Sequence, residues 1–512
     1  MPSDRPAMTE AETRTPLALL LAEMDKGDDF PALSRTIAEI NRAVGDENSR
    51  ANILTDIILR DISLTKKLLR LVNAAHYGSF SSQPISTISR AVVILGFDAV
   101  RNAAVSLLLF EHLHDRAQVD ELKGEAVDSF YRGILGRMLA ASAGVRDGEE
   151  AFISALFREL GRLMARFHFY DKTRQVALLM EEALLSEQAA AQRVFGTDYD
   201  QLGLAIARHW HFPPAILHAM SPLEETGVRP AASDSGRLRI VANLARDLHR
   251  TVAGKRPEEQ EQALDGLYLR YREAVQTSRE SLAEAARKAV ETLRGEAAIL
   301  NVDISKSTSL PLPPKPGSGG AGGPGGEAET APAGEAADEC AGNDPTDVLA
   351  LGMQDMTAML LGEYHLADVF KMVAEVLYRT ELFDHVMVCV LDRPSQSLVG
   401  RVGLGPNAMA MRGDFRIPLS FAPDVFHAAT AKAQDILISD ATADNIRTRI
   451  PDWYARKVQA HAFLLLPVVV AGKPLALLYA DRMRESLRVS AQVLGLIKTL
   501  RNQTALALRQ KI

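Results

Sequence analysis

Cysteine is nearly absent: Cys340 and Cys389 are the only two in 512 residues. Two thiols cannot build a disulfide framework or a Cys-rich zinc module, and their scarcity fits a reducing compartment. Positive charge is also in deficit. The 65 acidic residues outnumber the 58 Lys and Arg and leave a net charge of -7, without the basic footprint of a general nucleic-acid binder. No apolar run approaches the ~20 residues a membrane span needs; residues 103–110, apolar or small apart from Ser106, are closed by Glu111 and His112. The opening MPSDRPAMTEAE lacks the apolar centre of a signal peptide. These absences predict a soluble cytoplasmic protein whose partners include neither nucleic acid nor membrane. What is present suffices for sizeable cores, with 47% hydrophobic and 24% charged residues, and the length calls for two or three domains.

Composition divides the chain. In residues 311–326, PLPPKPGSGGAGGPGG, twelve of sixteen are Gly or Pro, and a small, acidic, aromatic-free stretch follows. Such a segment cannot bury enough apolar surface to offset its ordering entropy, so 305–346 is expected to be a flexible, disordered linker. Before it the apolar spacing is helical throughout, as at Leu33, Ile37, Ile40 and Val44. An all-α domain over 15–304 is predicted, with one helix over 149–168 and another over 172–190. After the linker, 347–512 reads as an α+β domain. HVMVCVLDR and QSLVGRVGL are strands, and FLLLPVVVAGKPLALLYADR is a hairpin turning at Gly472 and Lys473.

The stretch ALFRELGRL (155–163) carries an adjacent Arg158–Glu159 pair. On a continuous helix Phe152, Leu156, Leu160, Leu163 and Phe167 share one face. Glu159 then lies at the edge of that stripe, and Arg158 lies opposite, in line with Arg162. An amphipathic helix with one Glu159–Arg162 pair accounts for this much without any function.

The stretch nevertheless resembles the metal-binding box of the HD superfamily of phosphohydrolases. KLLRLVNAAHYG (67–78), ISTISRAVVILGFDAVRN (85–102) and FGTDYDQLGLAIARHWHFPPAI (195–216) resemble the HDOD family, the output-domain branch of that superfamily. The motif positions are Asn73, Tyr77, Gly78, Gly96 and Trp210, and the resemblance covers about 28–250. It implies an HD-like helical fold. In the enzymes of the superfamily a His on an earlier helix, the His–Asp pair and a later Asp hold metal; the matching positions here are Tyr131 or its neighbours, Arg158, Glu159 and Asn243. Arg has no available lone pair while cationic, and its charge repels a divalent ion. Glu159 alone does not make a catalytic site. The expectation is a degenerate site without metal or other cofactor, hence no enzyme.

The remaining histidines do not rebuild the site. His112 and His114, and His209 and His211, are two residues apart and point to different helix faces. His76, His168 and His218 read as structural. Asn73, after an apolar helical run, reads as a C-terminal cap, with shaping of a partner groove as the alternative.

Residues 347–512 resemble the GAF family in their helix–strand order, in SDATADNIRTRIPDW and in the hairpin. The resemblance implies a domain that encloses a small molecule, with Arg447, Arg449, Asp452, Trp453 and Tyr454 as a candidate lid or, more simply, a polar loop. The NKFDE-type signature of cyclic-nucleotide-binding members is lacking, and Cys389 reads as a buried small hydrophobe. Leu494, Ile497, Leu500 and Leu506 of the last helix suit either a homodimer seam or the domain's own core.

Taken together, these features predict a non-catalytic signal-transduction protein of bacterial type. An HDOD domain would bind signalling proteins, and a GAF-like domain would sense a ligand or hold a dimer. The competing expectations are a metal-dependent phosphohydrolase acting on nucleotides or cyclic dinucleotides, and a nucleic-acid-binding regulator using Arg158, Arg162 and Arg166.

Overall fold

A computed structural model describes residues 15–511 apart from 27–29, 44–46, 74–84, 117–119, 225–226, 301–302, 308 and 312–343. The core of the expected linker, with Cys340, and the motif positions Tyr77 and Gly78 therefore lie outside the described residues. In chain order the helices are α1 (Pro16–Met24), α2 (Phe30–Asn41), α3 (Glu47–Leu59), α4 (Ile62–Val72), α5 (Ile88–Leu95), α6 (Phe97–Arg116), α7 (Asp120–Leu139), α8 (Gly148–Phe157) and α9 (Leu160–His168). They continue as α10 (Tyr170–Glu182), α11 (Glu187–Phe195), α12 (Tyr199–His209), α13 (Pro214–Ala219), α14 (Asp234–Val252), α15 (Pro257–Tyr271) and α16 (Arg279–Leu300). The second half contains α17 (Pro345–Leu360), α18 (Leu366–Arg379), β1 (His385–Asp392), β2 (Ser397–Leu404), α19 (Ala408–Met411), β3 (Arg416–Pro418), α20 (Val425–Lys432) and β4 (Ile436–Ile438). It closes with α21 (Asp444–Arg447), α22 (Asp452–Lys457), β5 (Ala462–Val470), β6 (Lys473–Arg482) and α23 (Ala491–Lys511).

The helical first half and sheet-containing second half agree with the periodicity. Two expected helices are each divided. The helix expected over 149–168 breaks between Phe157 and Leu160, and that over 172–190 breaks where Ser186 caps α11 by accepting from the Ala189 amide.

Contacts gather the chain into two units: residues up to 46 with 97–328, and 47–96 with 329–512. The expected 15–304 domain thus differs in one segment, because 47–96 packs with the second half. In the first unit α7, α8 and α14 pack on one another. Helix α14 begins at Ser233, which accepts from the Gly236 amide, and buries Leu238, Val241, Leu244, Ala245 and Leu248.

In the second unit α3, α4 and α5 form a small helical cassette that packs α5 against α18. The antiparallel sheet runs β3-β2-β1-β6-β5-β4. Both its faces are covered. Helices α18 and α23 lie on one, with α17 packed on both of them, and Met387, Cys389, Phe426, Tyr454, Phe463 and Tyr479 fill the other. The short edge strands β3 and β4 were not foreseen. The hairpin turns at Ala471 and Gly472, with φ of 49° and 77°, and Val470 pairs with Lys473. This corrects the expected turn by one residue: the two left-handed residues of a type I′ turn are Ala471 and Gly472, and Lys473 already belongs to β6.

Candidate functional site

Helix α8 starts at Asp147, whose carboxylate accepts from the Glu149 and Glu150 amides, and ends at Phe157. Arg158 keeps helical angles, but Glu159 sits at φ -111°, ψ 25°. Every residue of α8 from Ala151 to Phe157 is buried, so this helix has no solvent face there, which overturns the expectation that Arg158 lies on an exposed charged face. Arg158 is 2% exposed and Glu159 6% exposed. The Arg158 Nε donates to Asn243 Oδ1 at 2.9 Å, and its Nη1 donates to Asp200 Oδ1 at 2.5 Å. Asn243 in turn donates to the carbonyls of Ser221 and Arg239 at 3.0 and 2.8 Å.

Glu159 is surrounded by cations. Arg132 Nη1 lies 3.2 Å from its Oε2, Arg162 Nη1 lies 3.8 Å from its Oε1, and Arg250 pairs with the same Oε1. Arg132, from α7, is 1% exposed, and it also donates to Ser129 Oγ at 2.7 Å. Burial would raise the Glu159 pKa, but Arg132, Arg250 and Arg162 overcome it and hold the carboxyl well below the usual range. His249 approaches Arg132 Nη1 at 3.3 Å through Nδ1, and burial, aided by Arg132, pushes its imidazole down to about 3. Beside it burial drives the Asp128 carboxyl up. Glu125, paired with Arg166 at 2.6 Å, is held low by Arg162, Arg132 and Arg166 despite its burial.

These residues do not fit the metal ions that the HD resemblance implies. A divalent ion near Glu159 would stand among three guanidinium groups, each repelling it. Among the described residues no group of three or more His, Cys, Asp or Glu is arranged to hold a metal. Tyr131 is fully buried, and its hydroxyl donates to the Ala286 carbonyl at 3.1 Å. Its neighbour Arg132 reaches the carboxylate instead. Asn243 serves Arg158, and the residues of α14 that approach Glu159 and Arg132 are Arg250 and His249. Sequence reasoning named neither Arg250 nor His249, and reached Arg132 only as an unnamed neighbour of Tyr131. The available signal was helical: Arg250 lies seven residues, about two turns, beyond Asn243.

The arginines considered for nucleic acid are engaged with carboxylates: Arg158 with Asp200, Arg162 with Glu159 and Glu187, and Arg166 with Glu125. His168 packs edge-on against Phe30 and Phe167, and its pKa is lowered to about 4 by burial and by His112.

Among the motif positions, Asn73 ends α4 and ties it to the strand-like segment before α5. Its Nδ2 donates to the carbonyls of Leu69 and Ile85, both at 2.8 Å, and its Oδ1 accepts from the Ile85 amide at 2.7 Å. Gly96, at φ 90°, separates α5 from α6. Trp210 is fully buried and ends α12.

The candidate lid of the second half divides. Arg447, Arg449 and Asp452 are exposed, whereas Trp453 packs on Phe415 and Phe426. Tyr454 is 1% exposed and its hydroxyl meets that of Tyr479 at 3.0 Å. Tyr479 donates to Asp481, which also contacts His385 Nδ1 at 2.9 Å. Trp453 and Tyr454 are thus packed against the aromatic cluster on the sheet. Cys389 is buried, and burial pushes its thiol pKa up. In α23 Ile497 and Leu500 are buried, while Leu506 is 48% exposed. Among the described residues no helix is long and apolar enough to cross a membrane.

An uncharacterized protein of Treponema pallidum is 24% identical over 216 residues, 42% of this chain and 41% of its own. The chain thus spans well under half of that relative's length. A solved HDOD domain protein of unknown function from Geobacter sulfurreducens is 20% identical, covering 57% of this chain and 98% of its own with a TM-score of 0.39. The GAF domain of an Acinetobacter phosphoenolpyruvate-protein phosphotransferase is 16% identical over 32% of this chain and 92% of its own, with a TM-score of 0.27. Residues 30–225 match the family model of the HDOD domain, and that stretch of the chain is an HDOD domain.

Proposed function

We propose that this chain is a non-catalytic signalling protein of the cytoplasm. Its HDOD domain binds partner proteins, and its second half is a GAF-like domain that takes a small ligand or holds a homodimer. The observation that carries this reading is the Arg132 guanidinium 3.2 Å from Glu159, with Arg158 buried where the superfamily's enzymes place a metal-binding His. Cations there fix the carboxylate and tie α7, α9 and α14 to it, so the constellation serves as a structural cross-link. The fold is retained for its surface rather than for turnover.

The test uses the full chain, purified without chelators. Elemental analysis is expected to find far less than one metal ion per chain. Cyclic dinucleotides and nucleotides are expected to survive incubation with added Mn²⁺. One or two retained ions, with hydrolysis that Glu159→Gln abolishes, would make the phosphohydrolase reading the right one.

A further inference from the structure

Helix α5 opens with the sequence Ser86-Thr87-Ile88-Ser89, and its first amides need acceptors. Thr87 supplies one by accepting from the Arg90 amide at 3.2 Å. The others come from more than 260 residues away in sequence. Asp355 of α17 accepts from the Ser86 amide at 3.1 Å and from the Ser86 hydroxyl at 2.5 Å. Glu375 of α18 accepts from the Ile88 amide, from the Ser89 amide at 3.4 Å and from the Ser89 hydroxyl at 3.0 Å. A carboxylate at a helix start meets both free N–H groups and the positive end of the helix dipole. Two ion pairs flank this contact, Lys371 with Asp56 at 2.9 Å and Lys66 with Glu381.

The contact is polar at its centre. Asp355 is 6% exposed and Glu375 is fully buried. Burial drives both carboxyls above their usual range, against the hydrogen bonds they accept. Arg379, whose charge works against the effect of burial on Glu375, keeps Nε and Nη1 buried without hydrogen-bond partners among the described residues. Desolvated charges of this kind set geometry but add little net stability.

We propose that Asp355 and Glu375 form a releasable clamp on the start of α5, through which the second half of the chain holds the 47–96 cassette of the HDOD domain and controls its availability to a protein partner. This deepens the partner-binding reading and rests on it for the partner. The cassette belongs to the stretch that matches the HDOD family, yet its helix-starting amides are satisfied by the other half. Whatever shifts α17 against α18 changes the spacing of the two carboxylates, and so the fit to α5.

The experiment uses the full chain with Cys340→Ser, Val93→Cys and Leu361→Cys, the last two sites being 71% and 85% exposed. Spin labels there report the distance across the clamp by pulsed electron resonance. Hydrogen exchange of the 85–95 peptide reports its amides. In the parent a single narrow distance is expected. In Asp355→Ala/Glu375→Ala the distribution should broaden, and exchange of 85–95 should quicken about tenfold or more. A parent distribution that is already broad overturns the clamp. So does faster exchange at unchanged distance, which is a lost cap without release, or no change in either. Should the double alanine variant fail to fold by circular dichroism, Asp355→Asn/Glu375→Gln keeps the shapes and is held to the same criteria. Metal and hydrolysis at Glu159 are not read by either probe, so failure of the non-catalytic reading would leave this outcome intact.

Discussion

At the scale of single residues, Glu159 owes its ionised state to Arg132, Arg162 and Arg250, which outweigh the cost of burying it. Removing one member of a buried ion cluster exposes that cost, typically about 3–5 kcal/mol. Arg132→Ala is therefore expected to lower unfolding free energy by about that amount at neutral pH. The pH dependence has a definite sign. A carboxyl whose pKa is lower in the folded state contributes stability that is full above its unfolded value, near 4.5, and is lost as pH falls through the depressed value. The deficit of Arg132→Ala against the parent should hence shrink on acidification below about pH 4. Urea titrations of both proteins across that range check it; a deficit independent of pH would mean that Arg132 contributes only by packing. The permanent charge of Arg158 was legible in the sequence, because a guanidinium stays cationic in any setting. Its geometry was not. A helical wheel assumes that one face of a helix meets solvent, whereas α8 is buried on every side from Ala151 to Phe157 and takes Arg158 into the interior with it.

At the scale of elements, the break at Glu159 matters for how α9 meets α12. The two cross where Gly161 faces Gly203, and a Cβ on Gly161 would lie 1.9 Å from the Tyr199 carbonyl oxygen and 2.4 Å from the Gly203 nitrogen. Backbone cannot give way as a side chain can, so Gly161→Ala forces the helices apart and should cost about 3 kcal/mol or more. Gly266 in α15 has nothing within 4 Å of its would-be Cβ, and Gly266→Ala should stabilise by up to about 1 kcal/mol through helix propensity. Thermal melts of the two variants, moving in opposite directions, check the pair; a tolerated Gly161→Ala would mean that this crossing is looser than described. Sequence periodicity found most helices and the four longer strands because apolar spacing persists over many residues. It missed β3 and β4, each only three residues long, since so short a run carries no period. It also misplaced the hairpin turn, because Ala471 gives no signal of the left-handed conformation it adopts.

For the molecule as a whole, the composition marks a division near residues 311–326, and the sequence accordingly suggests one domain on each side. Contacts divide the chain differently: 47–96 joins the second half. Composition could not reveal this, because the acceptors for Ser86, Ile88 and Ser89 are lone carboxylates in otherwise ordinary helices. The consequence concerns truncation. A fragment ending at residue 304 keeps the cassette but removes Asp355, Lys371, Glu375 and Glu381. The Ser86, Ile88 and Ser89 amides would then have only solvent to bond. Ile88 and Ala91, fully buried in the full chain, would lose the packing that α18 provides. Amides in contact with water exchange through small local openings, whereas those of a retained core need larger ones. The fragment is therefore expected to exchange faster than the full chain over 85–95 while α14 keeps its protection. Equal protection of 85–95 in fragment and full chain would mean that the cassette stands without the second half.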